Sequence, residues 1–515
     1  MTKILPPPHD GGVKITLSMK SSDYLKIILG IAGNGRVYLV GGAVRDLLSG
    51  RPSSDFDFAM SANPSRMAAK FSRAAVASVV VLDEERKIYR VVKKTSSGPL
   101  TFDFSAYRGP TIERDLMLRD ITVNAMALPL KSAAALLDET SDAEKKIATA
   151  LLDPSGGLDD FKKRRIKLVR EKAAREDPAR LLRVFRFAAE LGFAVEPKTL
   201  ASCRRLRGKI LEPAPERLRD EIFKIFATDR ALSSVKMLDK TGILEILAPE
   251  ITALKKSCKS FYFHPQGLWH HLTETLGRVE EYASDVPSQF PEAAGDIGRY
   301  LSRQMSSGNV KSLLKFVTLL HDAGKPLCAK RIAKRMRFFG HETVGIKVFN
   351  DIAVRLKFSR DEMKFAATLI KNHMRILQLV GSGNTSDRAV YRLRRDAGDT
   401  FPALCLLSLS DAASYRNLKG FEKNNVSVVH DFVSKALKNY FDDMKKPPRS
   451  KIIDGHMIMR RLSIKPGPAV GVILKRLEEE RAVGTVKTTA EALECARGIY
   501  REISTGASPE KRRHK

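Results

Sequence analysis

The stretch from Val37 to Met60, VYLVGGAVRDLLSGRPSSDFDFAM, contains the clearest structural pattern in this chain. Its apolar start, Val37 to Val40, predicts a short buried strand. The strand stops at Gly41-Gly42, where the absence of a Cβ lets the backbone approach a bulky anion. Val44-Arg45-Asp46 then opens a helix, whose free N–H groups and positive end favour phosphate. The pattern therefore predicts a strand, an anion-binding turn and a helix.

The end of the same stretch carries two carboxylates. Asp55 and Asp57 alternate with Phe56 and Phe58, and the period of two in a strand puts both carboxylates on one face and both rings on the other. Neighbouring carboxylates repel each other unless a divalent cation lies between them, which is the basis of two-metal nucleotidyl transfer. A solvated edge strand after an ordinary glycine turn is the alternative. The order and spacing of glycines and aspartates favour a nucleotide site.

Composition limits the class of protein. A chain of 515 residues is long enough for three or four domains. Its 90 Lys+Arg against 59 Asp+Glu give a formal charge of +31, which indicates a polyanionic partner, most simply nucleic acid. The five cysteines form no CxxC pair, which argues against a zinc knuckle and fits a reducing cytoplasm. Without a long apolar run or a signal-peptide core, we expect a soluble cytoplasmic protein with no membrane partner.

The sequence pattern changes near residue 150. Before it, apolar segments at Ser78–Leu82, Tyr89–Val92 and Leu100–Phe104 alternate with helical segments, which predicts a mixed α/β domain. After it, strand patterns nearly vanish. Ala179–Leu191 is strongly amphipathic, and most of the remaining chain reads as helices separated by Gly, Pro and Ser. The final STGASPEKRRHK is a polar basic tail that we expect to be disordered.

Two clusters before residue 130 extend the nucleotide pattern. Asp103, in the strand around TFDF, is a candidate third metal ligand or base; a strand-end carboxylate bonded to nearby backbone is the alternative. Arg119, Asp120 and Asn124 lie about one turn apart at a helix start, where such a trio can bind a triphosphate and ribose hydroxyls. An N-capping role for Asp120 is the alternative.

A further cluster lies in REDPARLLR. Pro178 fits the first turn of a helix, which puts Asp177 at the cap and Arg180 and Arg183 on one face. An Asp/Arg pair offers acceptors and donors that could complement the Watson–Crick edges of C and A. As a surface ion pair, it would contribute little.

A second set of chemical groups follows Gly242. Six of the 10 histidines lie between residues 251 and 420. Imidazoles with carboxylates are ligands for Mn, Fe, Ni or Co. Lys325, four residues beyond a His-Asp pair, could face a phosphate. The candidate residues are Trp269-His270-His271, His321-Asp322, His341-Glu342, His373 and Asp411.

These motifs, taken in order, resemble a known family. GGAVRD, DFDF, RDITVNAM and EDPARLLRVFRFAAELGF are similar to successive motifs of class II tRNA nucleotidyltransferases, which include CCA-adding enzymes and bacterial poly(A) polymerases. GGLDDFKKRRIKLV and PERLRDEIFKIF extend the resemblance, which runs from about Val37 to Glu250. It implies an α+β fold: a polymerase-β-like nucleotidyltransferase head with a mixed sheet, followed by an all-α neck, HD-type body and tail.

The resemblance implies residue roles. Asp55 and Asp57 would bind Mg²⁺, with Asp103 as a further catalytic candidate. Gly41, Gly42, Arg45 and Arg119 would bind the triphosphate. Asp120 and Asn124 would bind the ribose, and Asp177 and Arg180 would bind the base, with Arg183 close by. The family usually has two arginines before the aspartate of its second motif, and here the first is Leu118, so we expect weaker phosphate contact.

The histidine-rich segment resembles an HD-type phosphohydrolase domain. LLHDAGKP and FFGHETVG are similar to the form fused to CCA-adding enzymes. His271, His321, Asp322 and Asp411 would be the ligands of a transition metal such as Ni, Mn or Co, with His341 and His373 as further candidates. The family spacing Trp-x-His favours His271 over His270. A vestigial domain, whose histidines pack or contact RNA, is the alternative.

The resemblance implies template-independent addition of CCA to tRNA 3′ ends from CTP and ATP, with phosphohydrolase activity in the HD domain. A-adding, CC-adding and poly(A)-polymerase activities share these motifs, although Asp83-x-x-Arg86 is similar to a loop element linked to the switch from C to A. An HD phosphohydrolase with a nucleotide-sensing N-terminal domain is a second alternative. We expect five regions: an N-terminal tail and short helix, the catalytic domain, a helical neck that binds nucleobase and RNA, the HD-type domain, and a C-terminal RNA-binding region with a basic tail, at 1–36, 37–150, 151–250, 251–420 and 421–515.

Overall fold

The chain forms two compact units in a computed structural model. The structure describes residues 19–96, 98–135, 149–256, 266–333, 335–415, 423–447 and 452–505. The first unit runs to Ile225 and includes Ser233–Leu247; the second comprises Phe226–Leu232 and the chain from Ala248 onward. Most of the predicted N-terminal tail and the predicted disordered basic tail lie outside the described residues.

A six-stranded mixed sheet forms the centre of the first unit. Its strand order is β3-β4-β5-β2-β1-β6, and every pairing is antiparallel except β2 with β5. The predicted strands are confirmed, and three of them extend beyond the predicted bounds. The strands are β1 Val37–Val40, β2 Asp55–Met60, β3 Ser78–Asp83, β4 Ile88–Thr95, β5 Gly98–Ala106 and β6 Ala127–Pro129.

Aromatic rings fix the register of the parallel pair. Phe56 stacks on Phe102 with ring centroids 5.3 Å apart, and Phe58 stacks on Phe104 at 5.2 Å. All four rings are buried, and Phe71 packs edge-on against the rings of β5. A stacked pair contributes about 0.5–1.5 kcal/mol beyond its buried area. Because a slip of one residue would turn these rings to the other face, the register is strongly specified.

Helices make up most of the rest of the first unit. Helix α8 (Ala179–Leu191) ends where Gly192 takes a left-handed conformation (φ 68°), which is the usual helix C-terminal role of glycine. Two 3₁₀ turns lie at Thr122–Asn124 and Arg207–Lys209. The helices are α1 Met19–Ala32, α2 Gly42–Leu48, α3 Pro64–Ala75, α4 Ile112–Leu116, α5 Leu130–Ala135, α6 Gly157–Lys162, α7 Glu171–Glu176, α8 Ala179–Leu191, α9 Pro197–Leu206, α10 Pro215–Ala227, α11 Ala231–Thr241 and α12 Ile243–Leu247.

The second unit is built on helices α14 (Leu268–Ser284), α17 (Val310–Leu320), α20 (Arg360–Gly381) and α22 (Phe401–Ser414), which pack against one another. Helix α22 is buried almost all round, as its apolar sequence requires. No helix in the described part of the chain is long and apolar enough to cross a membrane. The helices are α13 Glu250–Lys256, α14 Leu268–Ser284, α15 Val286–Gln289, α16 Ala294–Ser302, α17 Val310–Leu320, α18 Lys325–Cys328, α19 His341–Arg355, α20 Arg360–Gly381, α21 Asp387–Ala397, α22 Phe401–Ser414, α23 Lys423–Lys445, α24 Gly455–Leu462, α25 Pro468–Ala482 and α26 Thr489–Ser504, with 3₁₀ turns at Pro291–Ala293 and Gly398–Thr400.

The expectation of an all-α chain after the head is wrong at two places. Strands β7 (Arg165–Ile166) and β8 (Ala194–Val195) pair in parallel, and β9 (Lys330–Ile332) pairs with β10 (Arg335–Arg337) in an antiparallel hairpin. Strands of two or three residues are too short to produce an alternating pattern in the sequence.

Candidate active site and candidate metal centre

Gly41 lies at the centre of the first site. It follows β1 with φ 71°, a backbone conformation that L side chains rarely adopt. A Cβ at this position would lie 3.1 Å from both Asp57 Oδ2 and Arg119 Nη1. The carboxylate and the guanidinium therefore both lie against the backbone of the predicted anion-binding turn.

We expect Gly41→Ala to lower nucleotide-dependent activity and to cost about 1–2 kcal/mol of stability, because the backbone conformation is left-handed and the new methyl group crowds two charged side chains. Gly30→Ala is the matched control, since its Cβ meets open space within helix α1. Chemical denaturation followed by circular dichroism measures both variants. Equal stability of the two would contradict the crowding seen at Gly41.

Three carboxylates lie on one face of strands β2 and β5. Asp57 is directly opposite Asp103 in the parallel register, and Asp55 lies two residues before Asp57, exposed to solvent. Burial raises the pKa of Asp57; Asp103 and Asp55 raise it further, and Arg119 opposes them. A divalent cation relieves this kind of repulsion, and carboxylate oxygens are the ligands that Mg²⁺ prefers. The donor set therefore fits Mg²⁺ at Asp55 and Asp57.

Asp103 has a different local environment. Arg90, opposite it on β4, donates from Nε and Nη2 to its two carboxylate oxygens, both at 2.7 Å. Among the described residues, Asp103 does not join Asp55 and Asp57 in a group of three ligand atoms close enough to hold one ion. In the described part of the chain its carboxylate accepts from the Arg90 side chain and from no backbone N–H, so the bond to nearby backbone that was the alternative is not observed.

Arg45 connects the anion-binding turn to the 3₁₀ turn at Thr122–Asn124. Its Nη1 donates to Asn124 Oδ1 at 2.7 Å, and its Nε and Nη2 donate to Asp46 Oδ1. A Cβ on Gly42 would lie 3.4 Å from Arg45 Nη2. The Arg45 guanidinium thus lies beside Gly42 and holds the side chain of Asn124.

Close packing positions the 3₁₀ turn. A Cβ on Gly157 would lie only 2.1 Å from the carbonyl oxygen of Thr122, so α6 approaches the turn as closely as glycine allows. Thr122 Oγ1 donates to Asp160 Oδ2 at 2.7 Å. The GGLDDF motif therefore supports the segment that carries Asp120 and Asn124.

Asp120 is buried, and protein donors engage both of its carboxylate oxygens. The Ile121 N–H donates to Oδ1 at 2.9 Å, and Arg183 Nε donates to Oδ2. Burial alone raises the pKa of Asp120, but the Arg183 guanidinium and these hydrogen bonds lower it to about 2. Asp120 does not cap the 3₁₀ turn with its side chain, because Ile121 occupies the N-cap position.

A carboxylate with a lowered folded-state pKa stabilises the fold above its unfolded pKa, and this contribution is lost as the pH falls. For Asp120 the shift from 3.8 to about 2 corresponds to about 2.5 kcal/mol, present above roughly pH 4 and lost towards pH 2. We expect Asp120→Asn to destabilise the first unit near neutral pH and the difference from wild type to shrink between pH 4 and 2.

Hydrogen exchange of the backbone amides of β1, β2 and β5 measures this effect, because the single tryptophan, Trp269, lies in the second unit. Asp159→Asn is the control, since the Asp159 side chain is 58% exposed and its pair with Lys163 contributes little. A pH-independent difference for Asp120→Asn would contradict the linkage.

Asp177 and Arg180 lie next to each other, but not as predicted. Asp177 is the C-cap of helix α7, and Pro178 occupies the N-cap of α8 with φ −65°, an angle that the proline ring fixes within the helical range. Arg180 Nε lies 3.6 Å from Asp177 Oδ2, and its Nη1 donates to the Leu118 carbonyl at 2.9 Å. Leu118, which replaces the family's usual arginine, thus holds Arg180 through its backbone carbonyl.

Several site residues were not singled out in the sequence. Arg217 donates to both oxygens of Asp177, Glu221 lies 3.8 Å from Arg183, and Asp115 accepts from Arg119 at 3.2 Å. Phe187 lies under three guanidiniums, those of Arg45, Arg183 and Arg186, at 5.8, 5.2 and 4.1 Å. PERLRDE contains Arg217 and Glu221, and EDPARLLRVFRFAAELGF contains Phe187, so the motifs gave a signal for these three residues; Arg90 and Asp115 had none.

Asp322 lies at the centre of the second site. Its Oδ2 is 3.4 Å from the Nε2 atoms of His271 and His321, and its Oδ1 is 3.2 Å from His341 Nε2 and 3.3 Å from His373 Nε2. Lys325 Nζ lies 2.5 Å from Oδ2. Burial alone raises the pKa of Asp322, but Lys325 and the histidines hold it well below its usual range.

The imidazoles are oriented with Nε2 towards this centre. His321, His341 and His373 each place Nδ1 within 2.7–2.8 Å of a backbone carbonyl three residues earlier, and His271 Nδ1 lies 3.0 Å from Ser414 Oγ. Carbonyl partners fix the tautomer that leaves Nε2 able to bind a metal. Burial lowers the pKa of His321 to about 4, so this ring is neutral at pH 7.

The donor set fits a transition-metal ion. Ligand atoms of His271, His321 and Asp411 lie within 4.8 Å of one another, as do those of His321, Asp322 and His373. Among the described atoms, the buried His321 Nε2 and Asp411 Oδ1 make no hydrogen bond. His270 is exposed and joins neither group. Metal-ligand chemistry explains these buried polar atoms better than packing does.

Gly324, in the His-Asp-Ala-Gly-Lys motif, allows two backbone segments to pack closely at the second site. A Cβ there would lie 2.1 Å from the His341 carbonyl oxygen and 2.5 Å from the Gly345 nitrogen. The first turn of α19 therefore packs directly on the backbone of the motif, and this contact places His341 beside Asp322.

Comparison with known proteins agrees with the fold and the motifs. Residues 37–167 match the family described as Poly A polymerase head domain, and residues 192–255 match the family described as Probable RNA and SrmB-binding site of polymerase A. A CCA-adding enzyme solved with ATP shares the fold, with TM-score 0.60 at 20% identity over 96% of this chain and 97% of that one. The Thermotoga maritima CCA-adding enzyme complexed with tRNA gives 0.56 at 21% identity over 93% and 94%.

Sequence relatives are more informative than the structural neighbours. The A-adding tRNA nucleotidyltransferase of Deinococcus radiodurans is 32% identical over 88% of this chain and 93% of its own length. The CC-adding tRNA nucleotidyltransferase of Thermus thermophilus is 28% identical over 88% and 91%, and the multifunctional CCA protein of Xylella fastidiosa is 30% identical over 75% and 85%. The chain belongs to the class II tRNA nucleotidyltransferases, as the motif resemblance predicted.

Proposed function

We propose that this protein adds CCA to tRNA 3′ ends, using CTP and ATP. The observation that carries the proposal is that Asp57 and Arg119 both lie where a Cβ on Gly41 would meet them at 3.1 Å, so a metal-binding carboxylate and a phosphate-binding guanidinium share one glycine turn. The relatives named for CCA, CC and A addition support the substrate class. The excess of 31 positive charges suits tRNA, whose phosphates would be bound by shape more than by sequence.

In this mechanism the RNA 3′-hydroxyl attacks the α-phosphate of the nucleotide in line, and pyrophosphate leaves. Asp55 and Asp57 would hold Mg²⁺, which supplies activation of the hydroxyl and neutralises the leaving charge. The Gly41-Gly42 backbone, Arg45 and Arg119 bind the triphosphate. Asn124 orients Arg45 from the ribose side of the site.

Asp177 and Arg180 would read the base, with Arg183 behind them. Arg217 and the Leu118 carbonyl hold the pair in place, so its donors and acceptors are oriented before a nucleotide binds. Asp120 would act mainly by holding Arg183, since it is buried with both of its oxygens engaged, whereas Asp177 is partly exposed.

A-only addition is the second candidate. The Deinococcus radiodurans relative, with the name of an A-adding enzyme, is the observation that favours it. In favour of full CCA addition, Asp83 and Arg86 form the tight turn between β3 and β4: the Arg86 N–H donates to Asp83 Oδ1 at 2.8 Å. This motif resembles the family element linked to the switch from C to A.

The product is tested with tRNA transcripts that end at the discriminator base, at C or at CC, each supplied with CTP, ATP or both. We expect growth by three nucleotides on the first transcript with both substrates, C before A. Extension of only the CC-ending transcript, and only by A, would establish A addition instead. Long A tails on any RNA would indicate a poly(A) polymerase.

We also propose that the second unit is a metal-dependent phosphohydrolase of the HD type. Four imidazoles directed at Asp322 support metal binding, and Lys325 supplies a cation for a phosphate. Release of phosphate from p-nitrophenyl phosphate, with Ni²⁺, Mn²⁺ or Co²⁺ added to chelator-treated protein, tests this activity. If none of the three metals supports phosphate release, the proposed hydrolase function is wrong.

A further inference from the structure

The β9–β10 hairpin carries a concentration of positive charge that the nucleotide site does not explain. Its antiparallel register sets Arg337 directly opposite Lys330, and Arg331 lies between Lys330 and Ile332. The three basic side chains are exposed. Like charges directly opposite each other in a ribbon destabilise it, so this arrangement costs stability unless an anion binds there.

In the described part of the chain, no carboxylate neutralises this charge. Among the residues that the structure describes, Lys330, Arg331 and Arg337 have no acidic group within ion-pair distance, whereas Lys325, Arg355 and Arg375 of the same unit all do. The ribbon therefore presents cationic groups to an external partner.

Apolar groups accompany the charge. Phe339 is 76% exposed two residues after β10, and Ile332 on β9 is 48% exposed. Basic side chains beside an exposed aromatic ring are the combination by which proteins bind single-stranded nucleic acid: the cations contact phosphates and the ring stacks on a base. A folded protein partner would require acidic residues at a matching spacing, whereas a phosphate chain provides regular negative charge.

The hairpin leads to the HD-type site. Arg337, Phe339 and His341 line a cavity of about 820 Å³, which Asp411 and Lys325 also line. A strand of RNA held on the ribbon would therefore have one end at the mouth of this cavity.

We propose that the β9–β10 hairpin, with Phe339, is a binding surface for single-stranded RNA, which directs an RNA end towards the HD-type site. The proposal rests on RNA being a substrate of this protein, as proposed above. It assigns the second unit an RNA contact on a β-ribbon, in addition to any contact made by its helices.

Affinity for a 5′-fluorescein-labelled 12-nucleotide RNA, measured by anisotropy on the full chain, tests the proposal. The variant is Lys330→Gln/Arg337→Gln, which relieves a like-charge pair and so keeps the fold at least as stable. Loss of two phosphate contacts should weaken binding roughly 25-fold at 0.1 M salt and reduce the slope of log K against log salt by about 1.4. The control, Lys347→Gln/Lys364→Gln, makes the same change of charge at two exposed lysines of the same unit and should change affinity less than twofold.

A second measurement locates the contact. A 4-thiouridine-labelled RNA should cross-link to the peptide that contains Phe339. The proposal would be overturned if the hairpin variant and wild type bound RNA with equal affinity, or if cross-links were confined to the first unit. It would also be overturned if the hairpin variant lost binding to anionic vesicles and not to RNA. If the wild-type protein binds no RNA at all, the proposed function fails; if it binds and the hairpin variant binds equally, only the hairpin assignment fails.

Discussion

Asp57→Asn should lower incorporation of CTP and ATP into tRNA by about 10³-fold or more without reducing stability. Loss of a metal-binding carboxylate removes several kcal/mol of charge stabilisation in the transition state, and 1.36 kcal/mol corresponds to a factor of ten. Stability should hold or rise, because burial raises the pKa of Asp57, which means that the folded protein disfavours its charge. Single-turnover incorporation and chemical denaturation measure the two effects.

Asp431→Asn is the control for this change, because the Asp431 side chain is 84% exposed and far along the chain from the site. Its incorporation rate should match that of wild type. Activity of Asp57→Asn within tenfold of wild type would remove Asp57 from the metal site. If the phosphohydrolase activity persists in Asp57→Asn, then the two chemistries are separable.

Asp322→Ala should have the largest effect on the second unit. The change removes the carboxylate that contacts four imidazoles, and it leaves the Lys325 ammonium, 11% exposed, without this partner. Removing one member of a buried ion pair costs about 3–5 kcal/mol. Denaturation followed by the fluorescence of Trp269 measures the loss in metal-free protein, and elemental analysis measures the bound transition metal.

The double variant Asp322→Ala/Lys325→Met distinguishes the two roles of Asp322. Stability should recover by most of the loss, because no buried charge remains uncompensated, whereas metal binding should not recover. Metal retained at wild-type stoichiometry in either variant would show that the histidines and Asp411 suffice without Asp322.

Local patterns gave most of the first unit. The alternation of Asp and Phe over residues 55–58 predicted both faces of β2 correctly, because the period of a strand is a local property. The same alternation in TFDF predicted β5. That the two strands pair in parallel, with Asp57 opposite Asp103, depends on contacts between segments 46 residues apart in sequence, and no local pattern encodes those contacts.

Other features depend on packing or on very short elements. Arg119 lies close to Gly41, which is 78 positions earlier in the sequence, and Arg90 is identifiable as the partner of Asp103 only once β4 and β5 are paired. The cap position of Asp177 was wrong because Pro178, which begins the next helix, takes it. The sequence pattern predicts a helical region around residues 330–337 and misses the basic β9–β10 ribbon, since three-residue strands have no detectable period.

The two stacked ring pairs of β2 and β5 affect which substitutions this protein can accept as it evolves. Folding free energy is concentrated on one side of these strands, and the groups assigned to chemistry lie on the other. A substitution among the carboxylates leaves the ring stack intact, and a conservative exchange among the rings leaves the carboxylates in register. Catalytic properties and thermal tolerance can therefore be selected almost independently, within a span of six residues on each strand.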